Sequence, residues 1–359
     1  MYISCMILGI YLLSQSYSEV EILEKELTIM QFIGIEAANS STKVVSGDVV
    51  KNYDNRLKQL YRQELTIMNG KSDTVYTYSG QRYVLSDKGI TSGGRNSKRY
   101  STQEYLLQTL IGIAEVQKER DIVLVTGLPC SDYLSEQAIK STVKTLKGNH
   151  EIMVGNKKHE IHIHEVFVIP QPLGTLIDFM FDDNLKIVNN RDKSKWLVID
   201  IGRGTTDILL CEGMKAERII GTDIGSMDIT NLYLDCINDK FANTDYEFTR
   251  VDVGNNNNCI INKYEQTFDF SEELDMAKKE VSRQIMTFIS DSGISFKMAD
   301  RIIYTGGTSI ALKDYLQINE NAKIYKHAQT GNARGYYKFC RYKGGRKYGE
   351  NKKSSLQTL

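Results

Sequence analysis

The strongest constraint on how this chain can fold is one short pattern that occurs twice. Lys195 to Leu210 reads K-W-L-V-I-D-I-G-R-G-T-T-D-I-L-L. The apolar run Leu197 to Ile199 reads as a buried strand, cut by a turn with two glycines and resumed at Ile208 to Leu210. Asp200 sits at the mouth of that turn, beside the backbone N–H groups of Gly202, Arg203, Gly204 and Thr205. A carboxylate next to a concave set of N–H donors suits a phosphate with its metal ion. Ile33 to Lys43 (I-G-I-E-A-A-N-S-S-T-K) aligns with this stretch without a gap. Glu36 falls on Asp200, Ala38 on Gly202, Ser40 on Gly204, Thr42 on Thr206 and Lys43 on Asp207. Two such units predict a duplicated domain gripping one phosphate chain from both sides, with Ala38, Asn39, Ser40 and Ser41 supplying the second set of N–H groups.

A third segment, Ile302 to Ser309, is a strand running into Gly306-Gly307-Thr308 and a helix, an order that aims backbone donors and a helix N-terminus at a ligand. Together the three segments resemble the phosphate-1, phosphate-2 and adenosine motifs of the actin, sugar-kinase and heat-shock-chaperone ATPase superfamily. Within it the chain most resembles the plasmid-segregation actins of the ParM type. Val125-Thr126-Gly127-Leu128-Pro129, Pro170 to Thr175 and Asn332 to Tyr336 add to the likeness, which spans roughly residues 31 to 340. It implies an α/β, actin-like duplicated ATPase fold: two domains, each a mixed sheet flanked by helices, with ATP or GTP and Mg²⁺ in the cleft between them.

Hydrolysing a nucleoside triphosphate needs neutralised phosphates, a held Mg²⁺ and an oriented water. Mg²⁺ keeps most of its waters, so one carboxylate from each hairpin suffices, and Glu36 and Asp200 are the candidates, acting through water. Lys43 can place its ammonium on the β- and γ-phosphates. The family places a Gln or Glu that orients the attacking water in the link between domains; by position this is Gln171, a poor base. Three departures from the family pattern stand out: Glu36 where Asp is usual, Ala38 where Gly is usual, and Arg203 where a small or acidic residue is usual. They imply retained binding with altered turnover.

Lys plus Arg and Asp plus Glu both number 45, so no global field draws the chain to nucleic acid or to an acidic membrane. Six scattered cysteines without a C-x-x-C pair read as reduced thiols in a cytoplasmic protein. Residues 1 to 29 do not match the rest of the chain: the apolar start is too short to span a bilayer and lacks the features of a signal peptide. This extension is expected either to be disordered or to lie upstream of a true start at Met30. Domain I is expected at residues 31–184 with a small insertion about 46–100. Domain II is expected at 185–325 with an insertion about 226–270. A return segment is expected at 326–340, then a disordered basic tail at 341–359.

Among smaller elements, a helix is expected from Ser101 to about Glu119, with Ser101 and Glu104 forming a capping box, and another from Asp132 to Leu146. A hairpin turns at Gly155-Asn156-Lys157. On its second strand His162 and His164 share a face and could chelate a metal. Glu160 is the one third ligand at hand, and a solvated strand face is the simpler reading.

The leading functional expectation is a filament-forming ATPase that moves plasmid DNA. It would polymerise head to tail and work with a ParR-type adaptor bound to a centromere-like site, away from any membrane. The alternatives are a small-molecule kinase of the same fold, for which no acceptor-activating carboxylate is evident, and a non-filament ATPase of chaperone or activator type.

Overall fold

A computed structural model describes residues 30–39, 41–61, 74–86, 97–188, 191–254 and 257–348. The expected extension 1–29, Ser40 and the end of the basic tail lie outside the described residues.

Seven buried residues in a row make Gln31–Ala37 (β1) a central strand, as expected of a strand covered on both faces. It turns into Ser41–Ser46 (β2) and Val49–Asp54 (β3), each antiparallel to its predecessor. Leu57–Leu60 (β4), Tyr76–Tyr78 (β5) and Gln81–Leu85 (β6) come next, then the helix Gln103–Ala114 (α1) and the strand Asp121–Leu128 (β7). The chain continues through Cys130–Tyr133 (α2), Glu136–Leu146 (α3), Gly148–Val154 (β8), Lys157–Pro170 (β9) and Gln171–Met180 (α4). These strands form one nine-stranded sheet in the order β3-β2-β1-β7-β9-β8-β5-β6-β4. The described strands of residues 46–100, expected as a small insertion on domain I, thus extend the main sheet at both ends.

The second half opens with Lys195–Ile201 (β10), Thr206–Glu212 (β11) and Lys215–Thr222 (β12). Next come Ser226–Lys240 (α5), Arg250–Val253 (α6), the small hairpin Ile260–Lys263 (β13) and Gln266–Asp269 (β14), and Ser271–Asp291 (α7). Arg301–Thr305 (β15), Gly307–Ala311 (α8), Ala322–Ile324 (β16) and Gly331–Tyr348 (α9) complete the chain. Five of these strands make a sheet in the order β12-β11-β10-β15-β16. The duplication is visible in the pairing. In both sheets a central strand (β1, β10) has an antiparallel hairpin on one side and a parallel strand (β7, β15) on the other. The next strand out is also parallel, β9 in one and β16 in the other.

Two helices lie between the sheets. From α4, Leu176, Phe179 and Met180 pack on Trp196, Val198, Leu209 and Ile303 of the second sheet. From α9, Tyr336 and Cys340 pack on Phe32, Val123, Val125 and Ile169 of the first. The chain therefore crosses from domain I to domain II on α4 and returns on α9.

Several local expectations are corrected. The cap of α1 is Thr102, whose hydroxyl accepts Tyr105 N–H at 3.2 Å, because Ser101 donates its hydroxyl to the Lys98 carbonyl in the preceding 3₁₀ turn. The helix ends at Ala114, short of Glu119. The helix expected from Asp132 to Leu146 is two: Ser135 interrupts it by capping α3 through Ala138 N–H. α5, placed by sequence inside an insertion, belongs to the domain II core through Ile229, Tyr233 and Ile237. Residues 341–348, expected in a disordered tail, complete α9.

The approach of α9 to its neighbours has no spare room. A Cβ on Gly335 would lie 1.7 Å from the Gly174 carbonyl oxygen, and one on Gly34 would lie 2.2 Å from Tyr337 N. Both clashes are with backbone, which cannot rotate away. Gly335→Ala is therefore expected to cost about 1–3 kcal/mol, the usual range for overpacking, and to lower the thermal midpoint by several degrees. Scanning calorimetry of the variant checks this; a midpoint equal to wild type would mean that the helices do not pack so closely.

Candidate active site

The two hairpin turns are closed by the same hydrogen bond. Ala38 N–H donates to the Ser41 carbonyl at 3.0 Å and Gly202 N–H to the Thr205 carbonyl at 2.8 Å. The residues after the turns, Thr42 and Thr206, are both fully buried. Asn55 donates to the Thr42 hydroxyl at 3.0 Å, while Thr206 donates its own hydroxyl to the Ile224 carbonyl at 2.8 Å. At the mouth of the first turn Glu36 is buried and pairs across the hairpin with Lys43, Oε2 to Nζ 3.3 Å. At the mouth of the second, Asp200 is buried opposite Asp207 in register.

Electrostatics bring these groups together. Burial pushes the Asp200 carboxyl up to about 7, and repulsion by Glu36 adds to it; the Asn332 amide and the Lys43 ammonium oppose the rise. Asp207 is likewise pushed up to about 7, by burial first and then by Asp200. Two buried acids from two domains, Glu36 and Asp200, thus face one lysine, with Asp207 beside Asp200, and a divalent cation would relieve the excess negative charge. The side-chain oxygen of Asn39, in the first turn, is buried with no hydrogen-bond partner among the described residues. Carboxylates and an amide oxygen form a hard-oxygen donor set that fits Mg²⁺, and the N–H groups of the turns suit the phosphate oxygens.

Of the other expected residues, Ser41 opens β2 and is half-buried; Ser40 is outside the described residues. Arg203 is half-buried, its guanidinium held below its usual value by burial and then by Arg56, with Asp54 offsetting. The Thr205 hydroxyl is turned inward to Asp207 at 3.0 Å. Thr308 donates its hydroxyl to the Gly202 carbonyl at 2.8 Å, so the third motif braces the second turn. Gly306 (φ +83°) lies directly on Asp200: a Cβ there would be 2.4 Å from Asp200 Oδ1 and 2.3 Å from the Ile201 carbonyl oxygen. Gln171 is half-buried and starts α4. The sheet register sets Ile35 beside Thr126 and Thr126 beside Val168, which places Gln171 level with Ala38, two strands or ~10 Å away.

Four contributors escaped the sequence reading as site residues. Asn332, from α9, donates to Asp200 Oδ2 at 2.6 Å and accepts from the Thr175 hydroxyl at 2.8 Å. Buried Arg99 donates to the Ala37 carbonyl at 2.8 Å, gripping the first turn from outside. Asp207 accepts Cys130 N–H at 2.5 Å, joining the second hairpin to domain I. Gly225 lies against the second turn, with room for no Cβ, and Met227 N–H beyond it donates to the Arg203 carbonyl at 2.9 Å. Asp207 carried a signal through its alignment with Lys43, and Asn332 through the segment Asn332 to Tyr336 that adds to the family likeness, though neither spacing nor pattern gave them a role.

Residues 34–174 match the family model for the N-terminal domain of actin-like proteins. Residues 198–318 match that for the C-terminal domain of MreB-like archaeal actin homologues. The chain belongs to the actin-like family. Among solved structures, this actin-like protein is similar to the apo ParM protein of psk41, at 18% identity over 88% of this chain and 98% of that one, TM-score 0.65. It is similar to a 15-stranded ParM filament from Clostridium botulinum, at 17% identity over 87% and 99%, TM-score 0.70. An archaeal actin homologue in complex with ADP aligns at 16% identity over 87% and 100%, TM-score 0.65. No curated protein matches the chain by sequence.

Gly307 allows a test of where the ligand lies. A Cβ there would meet only Gln329 Cγ, at 3.9 Å, so the protein itself does not require glycine. Gly307→Ala is expected to leave the thermal midpoint unchanged or slightly raised, since alanine suits a helix better, while weakening nucleotide binding about tenfold by crowding it. Calorimetric titration with ATP and GTP reads the affinity. A lower midpoint with intact affinity would make the residue structural.

Proposed function

We propose that this actin-like protein is a nucleotide-dependent, filament-forming ATPase. The observation that carries the reading is the pair of equivalent hairpin turns whose acids, Glu36 and Asp200, are buried in one cleft, where burial and then Glu36 raise the cost of ionising Asp200. Such a charge excess at two phosphate-loop-like turns is what a Mg²⁺–nucleoside triphosphate would neutralise.

In this reading Glu36 and Asp200 hold the Mg²⁺ shell, and Lys43 lies against the β- and γ-phosphates. The turns at Ala38–Ser41 and Gly202–Thr205 clasp the phosphates from opposite sides. Gly306, Gly307 and Thr308 line the nucleoside end. Mg²⁺, when bound, screens the developing phosphate charge, and Gln171 orients the attacking water. Arg203 adds a positive charge at the phosphate end. The likeness to ParM structures supports polymerisation head to tail, through contacts that repeat without closing. It also supports plasmid segregation through a DNA-binding adaptor of the ParR type, with the filament itself holding centromere-like DNA only indirectly. No helix among the described residues is long and apolar enough to cross a membrane.

Two substitutions test the chemistry. Asp200→Ala is expected to lower hydrolysis about a hundredfold or more, since lost metal positioning removes about 3 kcal/mol of charge stabilisation; near-normal phosphate release would sink the assignment. Gln171→Ala is expected to slow hydrolysis while nucleotide affinity stays nearly constant, so that ATP-dependent pelleting persists longer. If affinity falls as steeply as turnover, Gln171 supports the fold instead. Wild-type protein that hydrolyses ATP yet never pellets, by sedimentation and electron microscopy, would favour the non-filament alternative.

A further inference from the structure

Domain I carries a second cluster of ligating groups, remote from the cleft. Asp121 is the first residue of β7, whereas the hairpin acids act at the level where β1 and β7 end. The length of β7, at about 3.3 Å per residue, separates the two by roughly 20 Å. On the adjacent strand β9, His162 stands directly opposite Asp121. The register then slips: Ile122 pairs with Ile163, but Val123 pairs with Glu165, leaving His164 as an extra, unpaired residue. Bulges are rare between parallel strands and re-aim side chains where they occur.

Here the result is convergence. His162 Nδ1 lies 3.0 Å from Asp121 Oδ1, and His164 Nε2 lies 2.5 Å from the same oxygen. The two imidazole rings are 3.8 Å apart, centre to centre. One ligand atom from each of the three side chains falls within 4.8 Å of the other two. The side chains are 31%, 30% and 19% exposed for His162, His164 and Asp121, so an ion could enter from solvent. Ile161 and Ile163, on the opposite face of β9, are buried in the domain I core and fix the strand beneath. Glu160, the third ligand that spacing alone offered, is engaged elsewhere, 3.2 Å from Lys158 Nζ.

We propose that Asp121, His162 and His164 form a binding site for a divalent transition ion, Zn²⁺ by its ligand chemistry, which clips β7 to β9 at the bulge. Two imidazole nitrogens with one carboxylate oxygen suit Zn²⁺, Cu²⁺ or Ni²⁺ and not Mg²⁺ or Ca²⁺, which take oxygen ligands. Three protein ligands leave a further position for water, as in open zinc sites. Without an ion, both histidines can share Asp121 Oδ1 as hydrogen-bond donors. Burial raises the Asp121 carboxyl, but hydrogen bonds from His164 and His162 outweigh it and hold the group below its usual value.

The test is calorimetric titration of the untagged full chain with ZnCl₂ in millimolar Mg²⁺ without nucleotide. One Zn²⁺ per chain is expected to bind at micromolar or lower Kd, and to raise the thermal midpoint as a ligand of the folded state does. The double variant His162→Gln/His164→Gln keeps polar side chains on the strand and is expected to bind at least tenfold more weakly and to lose the thermal shift. Co²⁺ added to wild type is expected to give the visible absorption of a four-coordinate nitrogen–oxygen site, which does not depend on any variant folding. Identical titrations of wild type and double variant, or displacement of Zn²⁺ by millimolar Mg²⁺, would overturn the proposal and leave a hydrogen-bonded trio only.

Discussion

The site depends on how closely α9 can approach the elements it crosses. Glycine is the means, on both sides of the contact. A Cβ on Gly127 would fall 1.8 Å from the Tyr336 hydroxyl oxygen, and one on Gly174 would fall 2.4 Å from the same ring. With these side chains absent, the first turn of the helix reaches the cleft floor and delivers Asn332 there. The orientation of its amide is settled by its neighbours. The oxygen accepts from Thr175 N–H and Oγ1, so the nitrogen is left to donate to Asp200. A helix from the end of the chain therefore sets the rotamer of the acid at its organising turn.

Elsewhere, buried charge is matched by charge. Lys338 on the same helix meets Asp178 at 2.7 Å and donates to the Phe181 carbonyl at 2.7 Å, while Tyr325 donates to the other oxygen of Asp178 at 2.8 Å. That network satisfies itself and needs nothing further. The acids at the hairpin mouths are treated differently. Asp200 has one amide and a lysine to set against burial and Glu36, Asp207 is raised by burial and then by Asp200, and both aspartates rise to about 7. A fold able to neutralise Asp178 so fully but not Asp200 and Asp207 has left charge free at one place, and that place is where the duplicated turns meet. This contrast within one molecule supports the proposed ligand site more firmly than either hairpin alone.

What could be read in the sequence was what lies within a few residues of itself. The hairpins were legible because strand, turn and strand are contiguous and because their repetition fixes the register: Glu36 faces Lys43 just as Asp200 faces Asp207. Groups brought from afar were not legible. Asn332 reaches Asp200, and Asp121 reaches His164, only through helix return and strand order, which no local spacing encodes. The end of α9 misled for another reason. Gly344 and Gly345 amid lysines and arginines read as a solvated tail, because glycine disfavours helix by about 1 kcal/mol. In the fold a Cβ at Gly344 would sit 2.1 Å from the Phe32 ring. Packing on β1 demands the residue that propensity penalises, and Lys347 and Tyr348 anchor the end on Glu165. Tertiary contact overrode local preference there.

Hydrogen bonds join the domains at the cleft floor, and three of them begin or end at a residue tied to the phosphate turns. Asp207 holds Cys130 N–H, Thr175 meets Thr305 through their hydroxyls at 3.0 Å, and Asn332 holds Asp200. Among the described residues, the outer strands of the two sheets, β4 in one and β12 and β16 in the other, are not paired across the cleft. In the proposed function, these floor contacts would serve as the hinge about which the two sheets close. A ligand that neutralises the acids from both hairpins at once would add its binding energy on the open side of that hinge. Its differential affinity for the closed arrangement, and nothing else, would set how far the rim moves. In the proposed function, any surface that changes on closure would be coupled to the nucleotide through Asp200 and Asn332. The side chains proposed to position the metal would then also carry the signal to a neighbouring protomer.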